Sequence, residues 1–84
     1  MTDTLRIASS GPEVGNWQRF LNGVKAADPE GKPLVVDETF GTRSFHATRV
    51  YQTSRGLTTT GFVDALTRKA AIADGFIPFV PAKN

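Results

Sequence analysis

The chain has 84 residues, 39% of them hydrophobic and 21% charged, with a formal net charge of +2. That length supports one core and excludes a catalytic domain joined to a separate recognition domain, while the composition excludes both a disordered chain and a membrane-spanning one. There is no cysteine, which removes disulfides, thiolate catalysis and Cys-ligated zinc, and a single histidine, His46, does not make a metal site with the usual multiple His ligands.

The first ten residues, MTDTLRIASS, hold no basic stretch followed by an apolar run, so no secretory leader is read in them. Ser10-Gly11-Pro12-Glu13 matches a capping box with a proline in the first turn. Behind it, Val14, Trp17, Phe20, Leu21 and Val24 recur at helical spacing, which predicts a helix over 11–24 with one apolar stripe. Residues 25–33, with two prolines, a glycine and mixed charge, read as a loop. Leu34-Val35-Val36 is expected to anchor the chain back onto the core, and Asp37-Glu38-Thr39 to turn into Phe40-Gly41.

Thr42 is the expected N-cap of a second helix over 43–55, which contains neither Gly nor Pro until Gly56 supplies the stop. Its expected buried face is Ser44, Ala47, Thr48 and Tyr51, unusually polar for a core; Phe45 and Val50 lie off that face, which leaves the rotation of the helix open. After the turn-rich LTTTG, the pair Phe62-Val63 precedes Asp64, a cap for a third helix over 65–73 that would bury Leu66, Ala70 and Ile72 or Ala73, with Gly75 ending it. Setting Phe40-Gly41-Thr42-Arg43-Ser44 over Val63-Asp64-Ala65-Leu66-Thr67 aligns an apolar anchor and, four residues on, a hydroxyl, a short internal repeat. The expected division is a domain over 1–75 and a tail or linker start over 76–84, whose prolines bar a continued helix. The expected core joins three helices around Trp17, Phe40 and Leu66.

The residues speak against catalysis. Ser44 and His46 are two apart on one helix and diverge, so no serine triad is expected. Among the carboxylates only Asp37-Glu38 lacks an obvious structural task, and neighbouring side chains in extended backbone diverge too. No glycine-rich loop precedes a Lys-Ser/Thr pair, which sets nucleotide hydrolysis aside. The basic residues run from Arg6 to Lys83 with no cluster longer than Arg68-Lys69, a poor footprint for nucleic acid. What remains is recognition: Arg43, Tyr51, Gln52 and Arg55, with the Asp37-Glu38-Thr39 turn ahead of them, offer aromatic surface, an amide and both charge signs to a polar, zwitterionic ligand.

Three stretches, LRIASSGPEVGNWQRFL, VVDETFGTRSFHATRVYQTSRGL and TTGFVDALTRKAA, together resemble the small three-helix peptidoglycan-binding domain found beside bacterial and phage cell-wall hydrolases. Gly11, Pro12, Val14, Gln18 and Leu21 match its first helix; Val36, Asp37, Phe40 and Gly41 its turn; Ala47, Gln52, Gly56 and Leu57 its second helix; Gly61, Val63 and Thr67 its last unit. The chain departs from the pattern at Glu38 and Asp64, where the family has Gly, at Ser44 (Thr), Thr48 (an aliphatic), Tyr51 (Phe) and Thr60 (Asp). The resemblance implies an all-α fold and a non-catalytic module that binds peptidoglycan through the stem peptide and holds a cell-wall hydrolase, in cis or in trans, at the bacterial wall. It implies no cofactor, no metal, no nucleic acid and no membrane, with a phage lysin as one setting. The ligand-binding set expected on this view is Asp37, Glu38, Thr39, Thr42, Arg43, Tyr51, Gln52 and Arg55. A protein-interaction domain of the same fold in a phage or bacterial assembly is the alternative.

Overall fold

The structure, a computed structural model, describes residues 5–26 and 31–78. Three helices, α1 (Pro12–Gly23), α2 (Thr42–Ser54) and α3 (Ala65–Ala73), follow one another, and no strand occurs among the described residues. The segment ahead of α1 ties the helices' approach turns together. Ala8 N–H donates to the Phe40 carbonyl (2.9 Å), Phe40 N–H to Ser9 (2.8 Å) and Gly11 N–H to Glu38 (2.9 Å), while Leu5 and Val63 exchange both backbone bonds across an antiparallel bridge.

That lacing changes two of the expected helix starts. The capping box does not form: Gly11, at φ 121°, caps α1 without a side-chain bond, because Ser10 is held in an antiparallel bridge with Thr39. Thr42 is the first residue of α2 and Gly41 its cap. Asp64 behaves as expected, its side chain accepting from the Thr67 N–H at 2.9 Å. All three helices end alike, with a backbone N–H donating to the carbonyl five residues back in the helix: Ala26 to Leu21, Leu57 to Gln52 and Phe76 to Ala71, each 2.9 Å. The residue before each donor is left-handed, and at Lys25 (φ 63°) it is not glycine.

Trp17 and Phe40 are fully buried in one cluster with Val14, Leu21, Ala47 and Val63. The Trp17 ring packs against Phe20 (5.2 Å between centroids) and edge-on against Tyr51 (6.0 Å) and Phe76 (5.2 Å), so the first residue of the expected tail is part of the core. Ile77 beside it is 79% exposed; residues 79–84 lie outside the described part. The polar face of α2 is buried as expected, and the Trp17 indole explains why: its Nε1–H donates to Thr48 Oγ1 (3.0 Å), whose hydroxyl passes on a bond to the Ser44 carbonyl (2.8 Å). Phe45 and Val50, off that face, are half-buried and exposed.

Leu66 is not in the core. It is 69% exposed, Ile72 is 49% exposed, and α3 buries Thr67 and Ala71 instead, a face turned by one residue from the expected one. The cause is polar: Thr67 Oγ1 accepts from the Gln52 amide at 2.9 Å, and this bond, together with the Asp64 cap, fixes the rotation of the short helix against its own hydropathy.

Gln52 is half of a duplicated device. Its Nε2 faces Thr60 Oγ1 (3.0 Å), the Phe62 carbonyl (2.9 Å) and Thr67 Oγ1 (2.9 Å), and its Oε1 accepts from Gly61 N–H (2.9 Å). One unit earlier, Gln18 Nε2 faces Asp37 Oδ1 (3.0 Å), the Thr39 carbonyl (3.1 Å) and Ser44 Oγ (3.1 Å), and its Oε1 accepts from Glu38 N–H (3.0 Å). In both, a buried glutamine on one helix clamps a left-handed turn, Glu38 at φ 64° or Gly61 at φ 80°, and the first turn of the next helix. The short repeat in the sequence is the visible part of this duplication. The two turns differ in what their αL residue meets. A Cβ at Gly61 would overlap the Phe45 ring, whereas the chain beside Glu38 leaves room for a side chain because position 15 is glycine: a Cβ there would come within 2.9 Å of Glu38 Cγ.

Candidate functional site

The clamped turn at 37–39 and the start of α2 form one side of an open hollow of about 290 Å³. Leu34 and Val35 make the apolar wall, with Val35 65% exposed, while Asp37 and Thr39 come from the turn and Thr42 and Arg43 from the first residues of α2. Gln18 and Ser44, both buried, close the floor. The Asp37 carboxylate accepts from Gln18 Nε2 and from the Thr39 N–H, both at 3.0 Å, and these bonds, the glutamine's first, hold its pKa below the ordinary carboxylate value. The rim therefore presents a negative group fixed by two donors, a guanidinium at Arg43, two hydroxyl-bearing residues and an aliphatic wall. That set suits a short peptide carrying both charge signs and small apolar side chains.

Of the eight residues expected at the site, Asp37, Thr39, Thr42 and Arg43 come together here. Glu38 lies over Gly15 of α1, on another side of the turn. Tyr51, Gln52 and Arg55 are elsewhere. Tyr51 is buried, its hydroxyl donating to Asp74 Oδ2 (2.7 Å); burial first, then that bond, push its pKa far above the usual phenol value. Arg55 Nε pairs with the same Asp74 oxygen at 3.2 Å, and Gln52 is spent on the second turn. The helical spacing of 43, 51, 52 and 55 could not separate an outward arginine from an inward tyrosine, because α2 buries a polar face. Leu34, Val35, Gln18 and Ser44 were absent from the expected set; the signal for the first two was the apolar run read as a mere anchor.

Among the described residues no group of three or more His, Cys, Asp or Glu side chains is placed to hold a metal ion, and no helix is long and apolar enough to cross a membrane.

A family model described as a putative peptidoglycan binding domain matches residues 10–71, through α1, the clamped turns, α2 and most of α3. The chain belongs to the peptidoglycan-binding domain family. No curated protein matches it. Among solved structures, the peptidoglycan-binding fold of this chain is similar to the SleB N-terminal domain, with a TM-score of 0.77 at 23% identity over 88% of this chain and 94% of that one. It is also similar to a fused Zn-dependent amidase/peptidase/peptidoglycan-binding domain-containing protein from Clostridium acetobutylicum ATCC 824, with a TM-score of 0.69 at 22% identity. That match covers 84% of this chain but 29% of the fused protein. At these identities the likeness establishes the fold, all-α with three helices, and Glu38 and Thr48 are tolerated within it.

Proposed function

We propose that this protein binds peptidoglycan without chemistry of its own, the stem peptide seating in the hollow between Leu34-Val35 and the Asp37–Arg43 turn. The observation that carries the reading is the hollow itself: in a member of a peptidoglycan-binding family, it joins an oriented carboxylate, a guanidinium and an exposed aliphatic wall. On this reading Arg43 faces a peptide carboxylate, Asp37 a free amine, and Val35 an alanine-type methyl. The module's task is to hold a cell-wall hydrolase, covalently joined or associated, near its polymer at the wall; the amidase-fused relative supports this arrangement, and a phage lysin is one setting for it. Tethering of this kind raises avidity by about 10²-fold or more when both sites are reached together.

Co-sedimentation with purified sacculi at low salt tests the reading. Wild type is expected in the pellet, and Val35→Asp or Arg43→Glu in the supernatant with an unchanged thermal transition. Recovery of all wild-type protein in the supernatant would contradict it. The second reading, a protein-interaction domain in a bacterial or phage assembly, draws on the outward side of α3, where Leu66 and Ile72 are exposed beside Ala65 and Ala73. A stoichiometric protein partner lost on Leu66→Glu, together with no affinity for sacculi, would decide for it.

A further inference from the structure

The outward face of α2 carries a second hollow that the stem-peptide reading leaves unused. About 490 Å³ in volume, it lies between the later turns of α2 and the connector to the second clamped turn, lined by His46, Arg49, Val50, Thr53, Ser54 and Thr59. No lining residue is acidic, and α2 holds no Asp or Glu along its whole length. Arg55, just past the helix, finds a carboxylate in Asp74, but among the described residues none pairs with His46 or Arg49. These two bases are three residues apart and so share one side of α2. The Arg49 guanidinium lies over the Phe45 ring at 5.8 Å, and that ring is held by the edge of Phe62 (6.4 Å) and by the space that Gly61 leaves for it. The cation is thereby restrained, yet Arg49 stays exposed.

The hydroxyls of the hollow have their protons committed to protein atoms. Thr53 and Thr59 share a bond at 3.3 Å, Thr59 Oγ1 reaches the Leu57 carbonyl at 3.5 Å, and Ser54 Oγ donates to the Tyr51 carbonyl (2.7 Å). All three oxygens keep lone pairs for an incoming donor. Val50, 40% exposed, adds an apolar patch. A matching ligand carries an oxyanion for the bases, several hydroxyl groups for the threonine and serine oxygens, and a short C–H chain for the valine. A phosphodiester between polyol units has all three. It also keeps its charge inside a polymer, because the two ester links leave two oxygens unsubstituted, whereas the muramic carboxyl of the wall glycan is consumed as an amide by the stem peptide. A stem peptide seated here would leave its amine unmet, since no lining residue is acidic. Nucleic acid shares the diester but needs a ring face for its bases, and Phe45, the ring beside the hollow, lies under Arg49. A lipid surface calls for a broad apolar face, where this hollow offers one valine.

We infer that the His46–Arg49 hollow binds the phosphodiester of a polyol-phosphate polymer in the cell wall, an anionic partner distinct from the stem peptide. Uniformly 15N-labelled protein is titrated with glycerophosphoglycerol, a small diester with a polyol on each side. Separate titrations use glycerol, which has the hydroxyls without the charge, dimethyl phosphate, which has the charge without the hydroxyls, a phosphate-free muropeptide, a single-stranded oligonucleotide and phosphatidylglycerol vesicles. The expected result is saturable shifts of the His46, Arg49, Thr53 and Thr59 amides with glycerophosphoglycerol. An exposed charge-assisted contact is worth about fivefold, so glycerol and dimethyl phosphate should bind at least that much more weakly, and Arg49→Gln and His46→Ala should each lose as much. Arg19→Gln, which removes the same charge from an exposed position on α1, should change nothing. Glycerol or dimethyl phosphate binding as tightly as the polyol diester, shifts confined to other residues, an undiminished response in Arg49→Gln or an equal loss in Arg19→Gln would each overturn the inference. So would tighter binding of the muropeptide, the oligonucleotide or the vesicles at these four amides. The inference takes from the peptidoglycan-binding reading only that the partner is met at the wall, and the two fail separately. Protein that binds the diester but never sediments with sacculi contradicts the peptide reading alone; protein that sediments with phosphate-free sacculi but shows no diester shifts contradicts this inference alone.

Discussion

Replacing Gln52 by Leu removes the second clamp while keeping the side chain's approximate volume. Four groups lose a bond: Gly61 N–H, the Phe62 carbonyl, Thr60 Oγ1 and Thr67 Oγ1, of which the Phe62 carbonyl and Thr60 Oγ1 keep one with each other. Gly61 and Thr67 are buried and have no ready access to water, whereas Phe62 and Thr60 reach the surface. At about 1–3 kcal/mol for each buried polar group left unpaired, the two buried ones give a loss of about 2–6 kcal/mol, with the surface groups adding little. A domain of this size has a total stability of about 4–13 kcal/mol, so the loss is a large share of it. Taking about 4–8 °C per kcal/mol, Tm should fall by at least about 8 °C. Thermal and urea unfolding followed by circular dichroism measure both quantities. Below its own transition the variant should still sediment with sacculi, since Gln52 reaches neither hollow. A loss under about 1 kcal/mol would refute the clamp, and a folded variant that no longer binds the wall would return Gln52 to the ligand site.

Further outcomes follow from the same geometry. Leu66→Glu should change stability by less than about 0.5 kcal/mol, as for an ordinary surface position, and a cost above about 2 kcal/mol in urea unfolding would reinstate the core that hydropathy suggested. Lys25→Gly should stabilise by about 1 kcal/mol, because the left-handed residue ending α1 no longer carries a Cβ, while Gly61→Ala should cost more than about 2 kcal/mol through the same angle and the displaced Phe45 ring; differential scanning calorimetry reads both. For Asp37 the folded pKa is depressed, so its contribution to stability is complete above the ordinary carboxyl value of 3.8 and is lost as pH falls below it; urea unfolding between pH 5 and about 2.5 should show that loss in wild type and less of it in Asp37→Asn.

The sequence and the structure agree where a signal was local, and part where it was not. Proline and glycine punctuation located all three helices to within a residue or two, since a residue's own backbone chemistry decides such boundaries. The rotation of α3 was illegible: Leu66 outranks Thr67 on any hydropathy scale, and only a glutamine fifteen residues earlier makes the threonine the inward residue. Tyr51 and Gln52 were drawn to the ligand site by the same blindness, because a polar residue on a helix gives no sign of whether its partner is a ligand or the protein's own backbone. The hollow was half legible, through Asp37, Thr39, Thr42 and Arg43, as these follow one another along a single turn. Its other wall, Leu34 and Val35, depends on how the loop after α1 returns, which no periodicity encodes.

The most direct test of the account is a titration of the 15N-labelled protein with a soluble muropeptide carrying an intact stem peptide. Shifts are expected to concentrate at Leu34, Val35 and residues 37–44 and to be abolished by Arg43→Glu. Shifts gathered instead around Tyr51, Arg55 and Asp74, or none at saturating ligand, would contradict it.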